Sequence, residues 1–469
     1  MKLRTKIAAT LGPSCDSEET VRRLVEEGVS VFRLNFSHGS EKEWYSRVRM
    51  MRKIEEEMGK HIALIGDLSG PSIRLGILRE PLRLRRGERV YLTAEEASAS
   101  EEKIIPIPNK RVVKLLKRGH ILLMDDGRVV FRVEDVGGDR VALKSLTDAL
   151  ITSRKTLVIQ GRDLGLPPIS ERDVAAVRFA AENNFDYIGL SYVRGDEDVL
   201  MLKGMLVSLG AEETGIIAKI ETPSALRSLE KIIEVADLVL VARGDLGMHF
   251  PLQEVPRLQE KIVTESIKRG KPVIVATQIL GSMIENPVPT RSEIVDVVTA
   301  VREGVDVLML TGETAIGKYP VETVRWLRRI LETYEPSTPP PKITLPKDAR
   351  ISDRFASGIV SLAESLNAVI AVYTISGRTA LRIARCRPSG RIYAGSPSKK
   401  VLRKLSIVYG IEPLKVEAED YNRGLEELQE KVSSLREVEE GAIIVLTYGM
   451  REEPLHMVRI VQVTRRNFS

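Results

Sequence analysis

Cysteine is nearly absent: the chain of 469 residues holds two, Cys15 and Cys386. That excludes a disulfide framework and a CxxC redox or metal pair, and it makes a reducing compartment, the cytoplasm, the expected location. Histidine is scarce as well. The five residues, His38, His61, His120, His249 and His456, form no HExxH or HxH pattern, so any metal must be held by carboxylates. Asn plus Gln total 14 while 29 % of residues are charged, the composition expected of a heat-adapted protein. No window approaches 18 uninterrupted apolar residues, so no membrane span is expected, and the first 15 residues lack a signal peptide's apolar stretch.

What remains is ordinary globular material, 43 % hydrophobic and long enough for about three domains. Eight short β-branched runs recur through the first 335 residues, at 6–11, 29–37, 62–68, 187–193, 216–221, 238–242, 272–278 and 305–311. Most are followed by an amphipathic helical pattern, such as 17–27, 170–183 or 224–233. Eight βα units predict a (β/α)8 barrel, and an open doubly wound sheet would share the periodicity. Residues 1–70 and 167–335 form this unit. Between them, 71–166 alternates with period two around the turn signals Asp126-Gly127 and Gly137-Gly138, which predicts a small inserted β domain. A proline-rich linker, 336–348, leads to a separate C-terminal α/β domain, 349–469.

The C-terminal ends of barrel strands are where such folds build active sites. The second run ends Arg33-Leu34-Asn35-Phe36-Ser37-His38, which puts a cation, an amide and a hydroxyl on one face, suited to a phosphate and a bound ion. The third ends at Asp67, and the fifth gives Lys219-Ile220-Glu221. Charges at the end of an apolar run must be paired, metal-bound or in an open site. The sixth ends Arg243-Gly244-Asp245-Leu246-Gly247, so Glu221 and Asp245 fit a Mg2+ (or Mn2+) site completed by substrate oxygens, a salt bridge to Lys219 being the plainer alternative. Thr277 and Thr311 add hydroxyls at the seventh and eighth ends. A GxxxxGK match at 312–318 is followed by Tyr319 and Pro320 instead of Ser or Thr, so it is not a P-loop.

The motifs TKIAATLGP from Thr5, FRLNFSHG from Phe32, AKIE from Ala218, ARGDLG from Ala242, ATQ from Ala276, PTRSE from Pro289 and GETA from Gly312 resemble, in order and spacing, the pyruvate kinase family. The resemblance runs nearly end to end. It implies phosphoryl transfer from phosphoenolpyruvate to ADP, giving pyruvate and ATP, the last step of glycolysis. By similarity, Arg33 and Lys219 grip the phosphoryl group, Glu221 and Asp245 hold Mg2+, and N–H groups near Gly244 and Asp245, with Thr277, take the carboxylate. Thr277 also helps deliver the proton to the enolate. Asn35, His38, Arg74 and Lys155 face the nucleotide, and the insert is a lid. The family's K+ site maps to Asn35, Ser37, Asp67 and Leu68, but Leu68 lacks the usual hydroxyl and Ser72 replaces a glutamate, which leaves K+ dependence open. The loop Thr374-Ile375-Ser376-Gly377-Arg378-Thr379 resembles the family's cradle for a phosphorylated effector, and a homotetramer is implied. A Mg2+-dependent aldolase or lyase acting on phosphoenolpyruvate or pyruvate is the alternative reading, since Lys-Ile-Glu and a Gly-Asp turn occur there too. The net charge is +6. It divides into about −5 on barrel and linker, +6 on the insert and +5 on the C-terminal domain, so small anions rather than nucleic acid or membrane are the expected partners.

Overall fold

A computed structural model describes residues 3–94, 103–125, 127–163, 165–341, 343, 345, 348–449 and 456–464. Eight strands, Lys6–Thr10, Val29–Asn35, Ala63–Asp67, Tyr187–Leu190, Gly215–Ile220, Leu238–Ala242, Val273–Ala276 and Val307–Leu310, are parallel and close into a barrel in chain order. The first pairs with the eighth from Lys6↔Val307, which removes the open-sheet alternative. Each strand is buried on both faces, as its unbroken apolar run requires. Polar residues therefore collect where the strands end, with Thr10 opposite Arg33 and Asn35 opposite Asp67.

The helices begin where the sequence offers caps. Ser170 accepts the N–H of Asp173 while Asp173 accepts that of Ser170, and Thr290 and Glu293 repeat the reciprocal pair. The helix expected over 224–233 is instead two, Pro223–Arg227 and Leu229–Val235. Ser228 between them leaves helical geometry (ψ 16°), and serine favours helix ends over interiors.

The insert leaves the barrel through Gly70. Its φ is +63°, and a Cβ there would lie 2.9 Å from that of Ser191, so only glycine fits. Seven strands form one sheet and two more a ribbon, around a core that includes Val90, Leu92, Ile105, Phe131 and Leu143. The reading of an all-β insert missed the helix Lys110–Leu115, capped by Asn109; six residues are too few to show a period. In the C-terminal domain the strands Val369–Tyr373, Ile392–Ser396, Ile411–Lys415 and Ile443–Gly449 are parallel and His456–Gln462 is an antiparallel edge. Their order is third, second, first, fourth, fifth.

This domain stands against the N-terminal end of the barrel. Tyr187 donates its hydroxyl to the Lys404 carbonyl at 3.1 Å and Ser30 to that of Ser406 at 3.0 Å. Arg387, on the C-terminal side, donates to both oxygens of Asp306 at 2.8 and 2.6 Å. Interior barrel residues such as Ala63, Ile217 and Ile274 share one apolar cluster with Ile359, Ile370 and Ile383. At the opposite rim the insert touches the barrel: Leu123 and Val158 pack on Met248, and Asp163 accepts the Ser224 N–H at 3.1 Å.

Candidate active site

At that rim Asp67 ends the third strand, 3 % exposed. Arg33, on the neighbouring strand, donates Nε and Nη2 to its Oδ2 at 2.8 and 2.5 Å, and Lys219 Nζ lies 3.5 Å from the same oxygen. Lys219 also lies 3.7 Å from Glu221 Oε2 and donates to Ser191 Oγ at 2.7 Å. Ser191 in turn donates to the Leu68 carbonyl at 2.8 Å. Residues from the second to fifth strands thus meet in one knot.

The electrostatics follow from burial opposed by neighbours. Burial works against a charged Asp67, but Lys219 and Arg33 outweigh it and its pKa ends below the carboxylate norm. Burial likewise disfavours the Lys219 ammonium, yet Asp67, Glu221 and Asp245 hold its pKa above the usual value. Lys219 is therefore a standing cation, not a base. Glu221, 1 % exposed, goes the other way. Burial raises its pKa and the like charge of Asp245 adds to that, overcoming Lys219 and the Tyr192 N–H that its carboxylate accepts. Two carboxylates that repel in a buried, oxygen-lined mouth fit a hard divalent ion. Among the described residues no cluster of three or more His, Cys, Asp or Glu gathers, so the remaining ligands would be substrate oxygens and water.

Across the rim, Asp245 rides on the helix Arg243–His249, which starts directly after the sixth strand. The Gly244 N–H, expected to take a substrate carboxylate, donates instead to Thr277 Oγ1 at 2.9 Å. Thr277 and Gln278 hold φ of +70° and +53°, and Tyr192 +56°, left-handed backbone that costs non-glycine residues about 1–3 kcal/mol each. The Thr311 hydroxyl and N–H both go to Glu313, 1 % exposed, which also accepts the Leu280 N–H. Thr311 is thus bound into the rim.

The nucleotide candidates are brought together in part. His38 is exposed, and its pKa is lowered by partial burial and by Arg74, Arg172 and Arg33 around it, so these groups share one positive field. Asn35 closes a turn by accepting the Ser37 N–H at 3.0 Å. Lys155 lies beside Arg74 in the insert, its carbonyl accepting the Leu75 N–H at 2.9 Å, while its ammonium is paired with Asp125. At the K+ candidates, Ser37 bonds Ser69 at 3.0 Å, Leu68 lends its carbonyl to Ser191, and Asp67 Oδ1 is buried without a hydrogen-bond partner among the described residues. Lys318 of the rejected P-loop pairs with Glu285 at the surface. Ser191, Tyr192, Arg243 and Glu313 belong to the site but carried no separate sequence signal beyond their place at strand ends and in quoted motifs, and Arg172, in the helix Glu171–Glu182, carried none.

In the C-terminal domain the loop 374–379 lies between the first and fourth strands, where the strand order reverses, the usual ligand crevice of a doubly wound sheet. Thr374 Oγ1 accepts the Gly377 N–H at 2.9 Å, Gly377 has φ +80°, and Ser376 and Arg378 are exposed while Thr379 is buried.

The family model described as pyruvate kinase, barrel domain, matches residues 2–324, and the one described as pyruvate kinase, alpha/beta domain, matches 353–462. A pyruvate kinase of Aeropyrum pernix is 38 % identical over 98 % of this chain and 99 % of its own. One from Pyrobaculum aerophilum is 40 % identical over 97 % and 96 %. The crystal structure of pyruvate kinase from Pyrobaculum aerophilum superposes with a TM-score of 0.87 at 38 % identity, covering 98 % of this chain and 99 % of that one. That of a pyruvate kinase from Cryptosporidium parvum gives 0.91 at 29 %, covering 99 % and 97 %.

Proposed function

The chain belongs to the pyruvate kinase family, and from that premise we propose how its rim residues divide the transfer of a phosphoryl group from phosphoenolpyruvate to ADP. The activity itself, a phosphotransferase yielding pyruvate and ATP, is that of its relatives, and none of them supports the aldolase or lyase alternative. The observation that carries the division of labour is the knot of Arg33, Asp67, Lys219 and Glu221.

In the reaction the bond from phosphorus to the enol oxygen breaks, a terminal ADP oxygen bonds to the phosphorus, and the enolate takes a proton at its methylene carbon. Arg33 and Lys219 hold the phosphoryl group in line, with Asp67 fixing both cations so that little reorganisation is needed as charge moves. Lys219, kept charged, offsets the negative charge developing on the enolate oxygen. The Thr277 hydroxyl accepts from Gly244, which leaves its own proton to face the substrate and, through water, the enolate carbon. The carboxylate is received by the Asp245 N–H with Thr277. When bound at Glu221 and Asp245, Mg2+ or Mn2+ neutralises charge on the substrate oxygens. Family members use a divalent metal and K+, and we propose that K+ is dispensable here, because Leu68 has no side-chain oxygen and Ser72 carries no charge where potassium-dependent members have a glutamate.

Asn35, His38 and Arg74 face the ADP phosphates, and Lys155 reaches them once the 71–166 lid closes and Asp125 gives it up; closure would exclude water from the transfer. The chain works in the cytoplasm as a homotetramer; among the described residues no helix is long and apolar enough to cross a membrane.

The metal assignment has a direct test. Glu221→Gln is expected to weaken Mg2+ binding by about 100-fold or more, since even outer-sphere partners of a metal contribute 10–100-fold. Titration calorimetry with Mg2+ at saturating substrate measures it, and unchanged affinity would move the metal elsewhere. The loop 374–379 is proposed to bind a phosphorylated metabolite. Arg378→Glu should abolish any activation by sugar phosphates and leave the rate without them intact; retained activation would place the effector elsewhere.

A further inference from the structure

Thr277 is a β-branched residue in left-handed backbone, with Gln278 behind it in the same region. Such a pair relaxes unless its surroundings over-determine it. Arg243 does so. Its guanidinium, 9 % exposed, donates Nε and Nη2 to the Thr277 carbonyl at 3.1 and 2.8 Å, and Nη2 to the Gln278 carbonyl at 2.7 Å. Nη1 is anchored on Asp296, at 2.5 Å, in the helix Arg291–Glu303. The next residue, Gly244, sends its N–H to Thr277 Oγ1. Thr277 is therefore gripped by its carbonyl and its hydroxyl from two successive residues of one helix start.

We propose that Arg243 is a positioning residue for the chemical step: it fixes the strained turn at 277–278, so that the Thr277 hydroxyl proton points at the substrate. The proposal rests on the role given above to Thr277. The guanidinium makes four hydrogen bonds, to two carbonyls and one carboxylate, so it acts through Thr277. A lysine could keep the charge but not the planar fork that reaches all three oxygens.

The test compares Arg243→Lys and Arg243→Gln in the full chain, each in the parent and in a Thr277→Ala background, with kcat and KM for both substrates and a melting curve. A hydroxyl displaced by about 1 Å costs on the order of 100-fold. In the parent, kcat should fall by about that factor with KM for ADP little changed. In the Thr277→Ala background the further loss should be within about threefold, the mark of coupled residues. Equal losses in both backgrounds, or no loss of kcat, would overturn the proposal. A Thr277→Ala variant with parental kcat would instead sink the role of Thr277. Should the Arg243 variants not fold, Asp296→Asn releases one side of the guanidinium, and it must lower kcat in the parent but not beside Thr277→Ala.

Discussion

Lys219→Met should lower turnover by about 1,000-fold or more while ADP binding survives. Methionine keeps most of the length of lysine but carries no charge. The Lys219 ammonium sits between Asp67 and Glu221, 3.5 and 3.7 Å from their oxygens, and Ser191 holds it at 2.7 Å. A preorganised donor aimed at developing charge in a water-poor site is commonly worth a factor of about 100–1,000, and a full cation is at the upper end. Among the described residues Lys219 has Ser191, Asp67 and Glu221 as its hydrogen-bond and ion-pair partners, not the groups expected at the nucleotide, Asn35, His38 and Arg74, so affinity for ADP should stay near the parent's. A coupled assay gives kcat, and calorimetry gives ADP binding. Turnover within about tenfold of the parent would remove Lys219 from the chemistry.

The largest effect on stability is expected at the opposite end of the barrel. Arg387 and Asp306 are each about 2 % exposed in their side chains. Asp306 also accepts the backbone N–H groups of Val273, at 2.9 Å, and Tyr409, at 3.0 Å, and the Arg387 guanidinium stands 4.5 Å from the centre of the Tyr409 ring. Arg387→Met strands a buried carboxylate, which costs about 3–5 kcal/mol. Arg257 with Glu254 is a natural control: its side chain is 77 % exposed, and such a surface pair contributes about 0–1 kcal/mol. Denaturant unfolding of Arg387→Met beside Arg257→Met should therefore separate clearly. Equal midpoints would show that the buried pair holds nothing together.

The barrel was legible because its strands are buried on both faces and so read as unbroken apolar runs. A charge at the end of such a run is conspicuous, which is how Arg33, Asp67, Lys219 and Glu221 came forward. Ser191 and Tyr192 did not, since a serine and a tyrosine at a strand end read as ordinary polarity, and what matters in Tyr192 is its backbone N–H. The left-handed turn at 277–278 runs against the preference of its residues, so local rules point away from it. The ion pair of Lys155 with Asp125 joins residues 30 apart in sequence, a matter of strand placement that composition does not carry. The two-residue strand Ile73–Arg74 is too short to leave any pattern.

The apolar cluster that runs from the barrel interior into the C-terminal sheet means that the barrel has no floor of its own. The stretch 336–348 separates two segments of sequence, but the interiors of the two domains share one apolar cluster that includes Ile217, Ile274, Ile359 and Ile370. Cutting the chain there would leave the catalytic half with an unsealed, wettable interior. The C-terminal domain is therefore a structural component of the catalytic barrel before it is anything else, and a change of its packing is felt at the base of the strands that carry Lys219 and Thr277 at their tips.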